Sequence, residues 1–212
     1  MKLGVIIEEK SPNYVRVSRA TTETKVLAEI SLERKELRIS TGKHFLDHMI
    51  EELAWFACMS IGVVVECLKS RILTHTIAED SGITLGRAFR VLYEVRMDRG
   101  LNGVGSAFSV LDEALSLAVI SIEGRSNTFV QTMCRGSNTE SVEDLKSRDL
   151  IAFIEGLSQG FGATIHIHLI HGEDPHHAWE SAFRALGEAI KKAFQINEWR
   201  KGGIAGIKGT LE

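Results

Sequence analysis

A histidine and a glutamate stand four residues apart twice in this chain, each time at the head of a long amphipathic run: His75-Thr-Ile-Ala-Glu79 and His176-His177-Ala-Trp-Glu180. Four residues carry an α-helix about 40° past a full turn, so each pair shares one helix face and can grip one cation. The second pair follows the first by 101 residues (176 − 75), close to half of the 212-residue chain. This spacing points to two copies of one unit, each bringing part of a metal site.

The hydrophobic pattern repeats with the same order. Val15 to Arg19, Thr24 to Leu32 and Leu37 to Ser40 read as strands, with apolar and β-branched residues alternating with polar ones. Phe45 to Met59 carries apolar residues at helical spacing, Ile61 to Cys67 reads as a buried strand, and His75 to Met97 is the longest helical run. Gly100 to Gly105 holds three glycines in six residues and reads as a hinge between copies. Beyond it, Asp112 to Glu123 holds a strand, LSLAVISIE, that resembles KVLAEISLE of the first half. Phe129 to Met133 reads as a strand, Arg135 to Ser147 as a polar loop, and Asp149 to Gln159 as the shorter helix. Ala163 to Leu169 is a strand and Pro175 to Phe194 the second long helix, with Pro175 suited to a first turn. The expected architecture is therefore α+β, two halves at 1–100 and 101–212, each a small two-layer sheet with two helices on one face, packed as one compact unit.

Composition narrows the function classes. A formal charge of −3 and a pI near 6.3 argue against nucleic acid as the main partner. No apolar run approaches the ~20 residues of a membrane span, and MKLGVIIEEKS is too short for a secretory signal. Three scattered cysteines, Cys58, Cys67 and Cys134, read as reduced thiols, and a soluble cytoplasmic protein is expected.

The histidines carry the chemistry. Besides the two pairs, His48 lies on the first short helix with Asp47 before it and His44 on the same face. Imidazole and carboxylate together suit a first-row transition metal, and the residue types alone do not choose among zinc, iron, nickel and manganese. Arg125, Arg184 one turn beyond Glu180, and Lys208 in the glycine-rich tail are candidates to meet a phosphate. His166 and His168 alternate on one strand face and read as core or cleft lining.

These motifs together resemble the imidazoleglycerol-phosphate dehydratase family. The resemblance rests on Arg19-Ala-Thr-Thr-Glu23, Phe45-Leu46-Asp47-His48-Met49, His75 to Ile83, Asp112-Glu113-Ala114-Leu115, Glu123-Gly124-Arg125, Thr164-Ile165-His166 and His176-His177 with Glu180, in order over nearly the whole chain. It implies a duplicated βα unit similar to the second domain of ribosomal protein S5, and trimers that build a 24-subunit shell with dinuclear manganese sites at subunit interfaces. The implied substrate is imidazole glycerol phosphate, whose ring bridges the two metals as imidazolate while water is eliminated. Glu23, Glu79 and Glu180 are the implied proton carriers, and His48, His75, Glu79, His176, His177 and Glu180 the implied metal ligands. Arg125 and Lys208 would face the phosphate.

The chain departs from the family pattern at positions that matter. Thr76 and Ala152 replace histidines, Phe56 a third, Glu52 a glutamine, and Gly103 an arginine. If each site takes the short-helix histidine of its own half, His48, His75, Glu79 and His177 form one complete site. The other, with Thr76, Ala152, His176 and Glu180, keeps two of four ligands. Glu52 pointed at a phosphate would repel it. A second reading follows, a homologue that has lost one metal site and serves as a structural or ligand-binding protein or acts on another substrate.

Overall fold

The computed structural model describes residues 2–133 and 141–211, so Cys134 and the start of the stretch read as a polar loop lie outside the described residues. The first half runs β1 (Gly4–Lys10), β2 (Tyr14–Ala20), β3 (Thr24–Ser31), β4 (Ile39–Ser40), α1 (His44–Ala57), β5 (Ser60–Cys67) and α2 (Thr74–Arg96). The second runs β6 (Val104–Leu111), β7 (Ala114–Ser121), β8 (Asn127–Thr132), the small hairpin β9 (Ser141–Val142) and β10 (Leu145–Lys146), α3 (Ser147–Phe161), β11 (Thr164–His171) and α4 (Pro175–Ala193).

The sheets have the orders β1-β2-β3-β5-β4 and β6-β7-β11-β8. Without β1 the two orders correspond strand for strand, and among the described residues of each half the only parallel ladder joins the last two members, β4 to β5 and β8 to β11. Alternation sets the faces. In β3, Val26, Ala28 and Ile30 are buried; in β11, Ile165, Ile167 and Leu169 are buried while His166 and His168 take the other face. The two-layer duplicated unit expected from the sequence is thus the architecture found.

Two long strands, β1 and β6, escaped the pattern, and the described part of the stretch read as a polar loop forms the hairpin β9–β10 and the first residue of α3. Every residue of β1 is exposed, so it shows no buried-face alternation, and it is held by pairing to β2. The glycine-rich stretch read as a hinge is the lead-in to β6. Gly105 lies inside that strand opposite Ile120, and an added Cβ there would press on the backbone of Ala189 and Ala193 in α4.

The halves join through their helices, and each helix chooses its partner from the other half. α2 lies on β2 and β3 and packs against α3; α4 lies on β6 and β7 and packs against α1. Between the sheets runs one continuous core that includes Phe89, Phe153, Phe161, Phe183 and Trp179. Glycines set the spacing. Gly86 of α2 sits against the backbone of Leu157 and Phe161 on α3, and Gly187 of α4 sits in the same way against Leu53 and Ala57 on α1. These equivalent contacts align the copies, so that α1 corresponds to α3 and α4 to α2. An added Cβ at Gly86 would stand 2.8 Å from Phe161 N and closer still to Leu157 O. Backbone cannot yield as a side-chain tip can, so Gly86→Ala is expected to destabilise the fold by about 3 kcal/mol. Urea denaturation checks this; Gly202→Ala, with nothing within 4 Å of the added Cβ but a φ of +79°, is expected to cost only the left-handed strain, about 1 kcal/mol.

Candidate metal centre

Because α1 packs on α4, His48 of the first half faces the His176–Glu180 pair of the second. Nε2 of His48 lies 3.0 Å from Oε2 of Glu180, and Nε2 of His176 lies 3.1 Å from the same oxygen. All three donor atoms fall within 4.8 Å of one another, forming the only group of three or more potential ligands among the described residues. Glu180 is buried, its side chain 6% exposed, while both imidazoles keep about a third of their surface open (35% and 34%). Phe45 walls one side, its ring 5.0 Å from that of His176.

A polar network stands behind the buried carboxylate. Arg184, one turn on from Glu180, bonds Oε1 of Glu180 and, through Nε at 2.8 Å, Glu52 Oε2. Its guanidinium lies over the Phe56 ring at 5.2 Å. Burial tends to raise the Glu180 carboxyl, but hydrogen bonds from His48 and Arg184 and the Arg184 charge outweigh it and hold the group below the usual carboxylate range. Glu52 and Phe56, both singled out in the sequence, therefore converge on Arg184. Glu52 is turned to that arginine, and Arg184 is engaged by two carboxylates.

The duplicate corner is built differently. Counting from the equivalent glycine contacts, Ala152 is the counterpart of His48, and His75 and Glu79 are those of His176 and Glu180. Ala152 is buried, and Gly156 and Gly160, counterparts of Glu52 and Phe56, let α3 press on the α2 backbone from Glu79 to Arg87. The expected grouping of His48 with His75 and Glu79 is thus not the one made within the chain. The cross-half helix pairing gives the short-helix histidine to the other half's pair. His75 and Glu79 stay half-buried at the head of α2, beside Thr76.

The remaining sequence candidates are dispersed. His177 turns away from Glu180 to Glu113, Nδ1 to Oε2 at 2.8 Å, with Asp112 at 3.8 Å from Nε2. The backbone N–H of Asp174, with the bond to His177, brings Glu113 down to about 2, and Glu113 in turn raises His177. Glu23 is half-exposed on the β2–β3 turn and pairs with Lys69 at 3.1 Å. That turn is tied to α2 by Arg19 and Thr24, which both bond the buried Asp80. Arg125 pairs with Glu123 at 2.7 Å, and Lys208 is exposed. Arg125 follows the far end of β7 from Glu113, a separation of roughly 25 Å for eight strand residues, so one chain does not bring Arg125 to its own His176. His44 is exposed and outside the three-residue group. His166 stacks on Phe129, ring centroids 4.5 Å apart, on the outer sheet face.

Two residues that sequence reading passed over sit at this corner, Glu143 and Asp144 on the β9–β10 hairpin. Glu143 Oε1 lies 3.1 Å from His176 Nδ1, and Asp144 receives the first N–H groups of α1. Their stretch is polar without period, and nothing local marks it.

The donor set fits a divalent first-row ion. Ligands set at right angles about an ion at roughly 2.1 Å stand about 3 Å apart, which is the spacing of the two imidazole nitrogens from Oε2.

The family model for imidazoleglycerol-phosphate dehydratase matches residues 41–190. This chain belongs to the imidazoleglycerol-phosphate dehydratase family. The relative from Caldivirga maquilingensis is 38% identical, covering 94% of this chain and all of its own, and that from Saccharomyces cerevisiae is 36% identical over 89% of this chain and 82% of its own. A crystal structure of the Pyrococcus furiosus family member in complex with a ligand aligns with TM-score 0.75 and 30% identity, over 91% of this chain and 99% of that one. The family is one of metal-dependent dehydratases, hydro-lyases of histidine biosynthesis, and the helix corner is where this chain gathers metal-type donors.

Arg184 tests the network. Its removal leaves the buried Glu180 facing Glu52 without a cation between them. Arg184→Met is therefore expected to cost about 3 kcal/mol in urea denaturation of the metal-free protein. Glu52→Gln, which keeps a hydrogen-bond acceptor for Arg184, is expected to cost about 1 kcal/mol or less.

Proposed function

We propose that this chain eliminates water from imidazole glycerol phosphate with manganese held at the α1–α4 corner by His48, His176 and Glu180, as a cytoplasmic homo-oligomer built on trimers. The observation that carries this reading is the placement of two imidazole Nε2 atoms at 3.0 and 3.1 Å from one buried carboxylate oxygen. A bound divalent ion supplies positive charge that favours the negative character developing on the substrate's imidazole as the carbon-bound proton and the hydroxyl leave.

The chain's own residues then divide the remaining work. Arg184 occupies Oε1 of Glu180 and so leaves Oε2 to face the two histidines. Phe45 shields one side of the His176 ring from water. Glu23 and Glu79 are proposed proton carriers; the Arg19–Asp80–Thr24 contacts fix the Glu23 turn against α2. His75, Glu79 and His177 are proposed to serve as ligands toward a neighbouring subunit. Arg125 and Lys208, at the opposite end of the sheet from the chain's own corner, are likewise proposed to meet the phosphate bound at a neighbour's.

Turnover of imidazole glycerol phosphate by metal-stripped protein reconstituted with Mn2+ tests this directly. His48→Ala and Glu180→Gln are each expected to lower kcat by roughly a hundredfold or more. One tight Mn2+ per chain is expected, because Ala152 leaves the duplicate corner without its short-helix ligand. Full turnover by His48→Ala, or two tight equivalents per chain, contradicts the assignment.

A further inference from the structure

The turn between β9 and β10 reaches both helices that furnish the corner. Asp144 accepts from the His44 N–H at 2.9 Å and the Phe45 N–H at 3.0 Å, one with each carboxylate oxygen, from a hundred residues away in sequence (144 − 44). Lys43, at the capping position itself, gives α1 no side-chain cap, so the hairpin caps the helix from outside. Glu143, one residue earlier, places Oε1 3.1 Å from Nδ1 of His176, whose Nε2 faces Glu180.

Glu143 does this from a conformation that side chains avoid. Its φ is +49°, one of three positive values outside glycine among the described residues. A glycine would make the same turn with less strain. Asp144 already anchors the hairpin to α1, so neither the turn nor the anchor requires a carboxylate at 143. Among the described residues, the one bond that carboxylate adds goes to the His176 ring.

We infer that Glu143 is a positioning residue for the metal corner. By accepting the Nδ1–H of His176 it selects the tautomer whose Nε2 lone pair is free for an ion, and it turns the ring toward Glu180 and His48. A carboxylate on the far nitrogen also makes imidazole a stronger ligand, and its negative charge favours a cation nearby. The inference rests on the reading of His48, His176 and Glu180 as metal ligands.

The test uses the full-length protein with two readouts, Mn2+ affinity by titration and the melting temperature of the metal-free form. Glu143→Gly relieves the backbone, so its metal-free melting temperature is expected to equal or exceed the parent's, while its Mn2+ affinity falls roughly 10- to 100-fold. Glu143→Gln, which still accepts from Nδ1–H but carries no charge, is expected to lose less affinity than Glu143→Gly. A purely structural role would move stability and affinity down together, and that result, or parental Mn2+ affinity in Glu143→Gly, overturns the inference. His176→Ala run in parallel separates the two claims. If it also binds Mn2+ like the parent, the ligand reading itself has failed; if it loses binding while Glu143→Gly does not, only the role of Glu143 falls.

Discussion

Close contact between helices of opposite halves governs this molecule. Each sheet covers one side of its two helices, and the other side has to be buried against something; here the two helix layers bury each other. Gly187 against Leu53 and Ala57, and Gly86 against Leu157 and Phe161, let backbones meet where any Cβ would hold them apart. The pairing decides which side chains share a corner. With α1 on α4, a histidine from residue 48 and a glutamate from residue 180 reach one another, and the metal-type donor set follows.

The two copies of the seam have diverged in opposite directions. At the α2–α3 seam, Gly156 and Gly160 allow a second row of close backbone contacts, and buried Ala152 stands where α1 carries His48. At the α1–α4 seam the matching positions hold Glu52 and Phe56, which receive Arg184 as a hydrogen-bond acceptor and as a ring beneath its guanidinium. One seam is tight and apolar; the other carries a chain of charge from Glu52 through Arg184 to Glu180. A buried carboxylate needs such partners to remain ionised, and ionised it can face two imidazoles and a cation. Glu52, Phe56, Arg184 and Glu180 are, at this seam, the parts of one network.

Much of this was legible before the fold was known, for local reasons. The His–Glu spacing, the amphipathic helices and the alternating strands depend on periods of a few residues, so the faces of α2 and α4 that carry the His–Glu pairs could be read directly. The pairing of helices across halves is a long-range choice, and giving each site the short-helix histidine of its own half put His48 with His75, Glu79 and His177. The direction of Glu52 was hidden for the same reason, since its partner is 132 residues away (184 − 52). β1 was missed because none of its residues is buried, and Glu143 and Asp144 because a two-residue hairpin has no period to detect.

Anomalous diffraction at the manganese edge, from crystals grown with Mn2+, addresses the central claim most directly. The account predicts a peak within roughly 2.3 Å of His48 Nε2, His176 Nε2 and Glu180 Oε2 of one and the same chain. Manganese bound at His75 and Glu79 with His48 and Glu180 beyond bonding reach of any ion would contradict it.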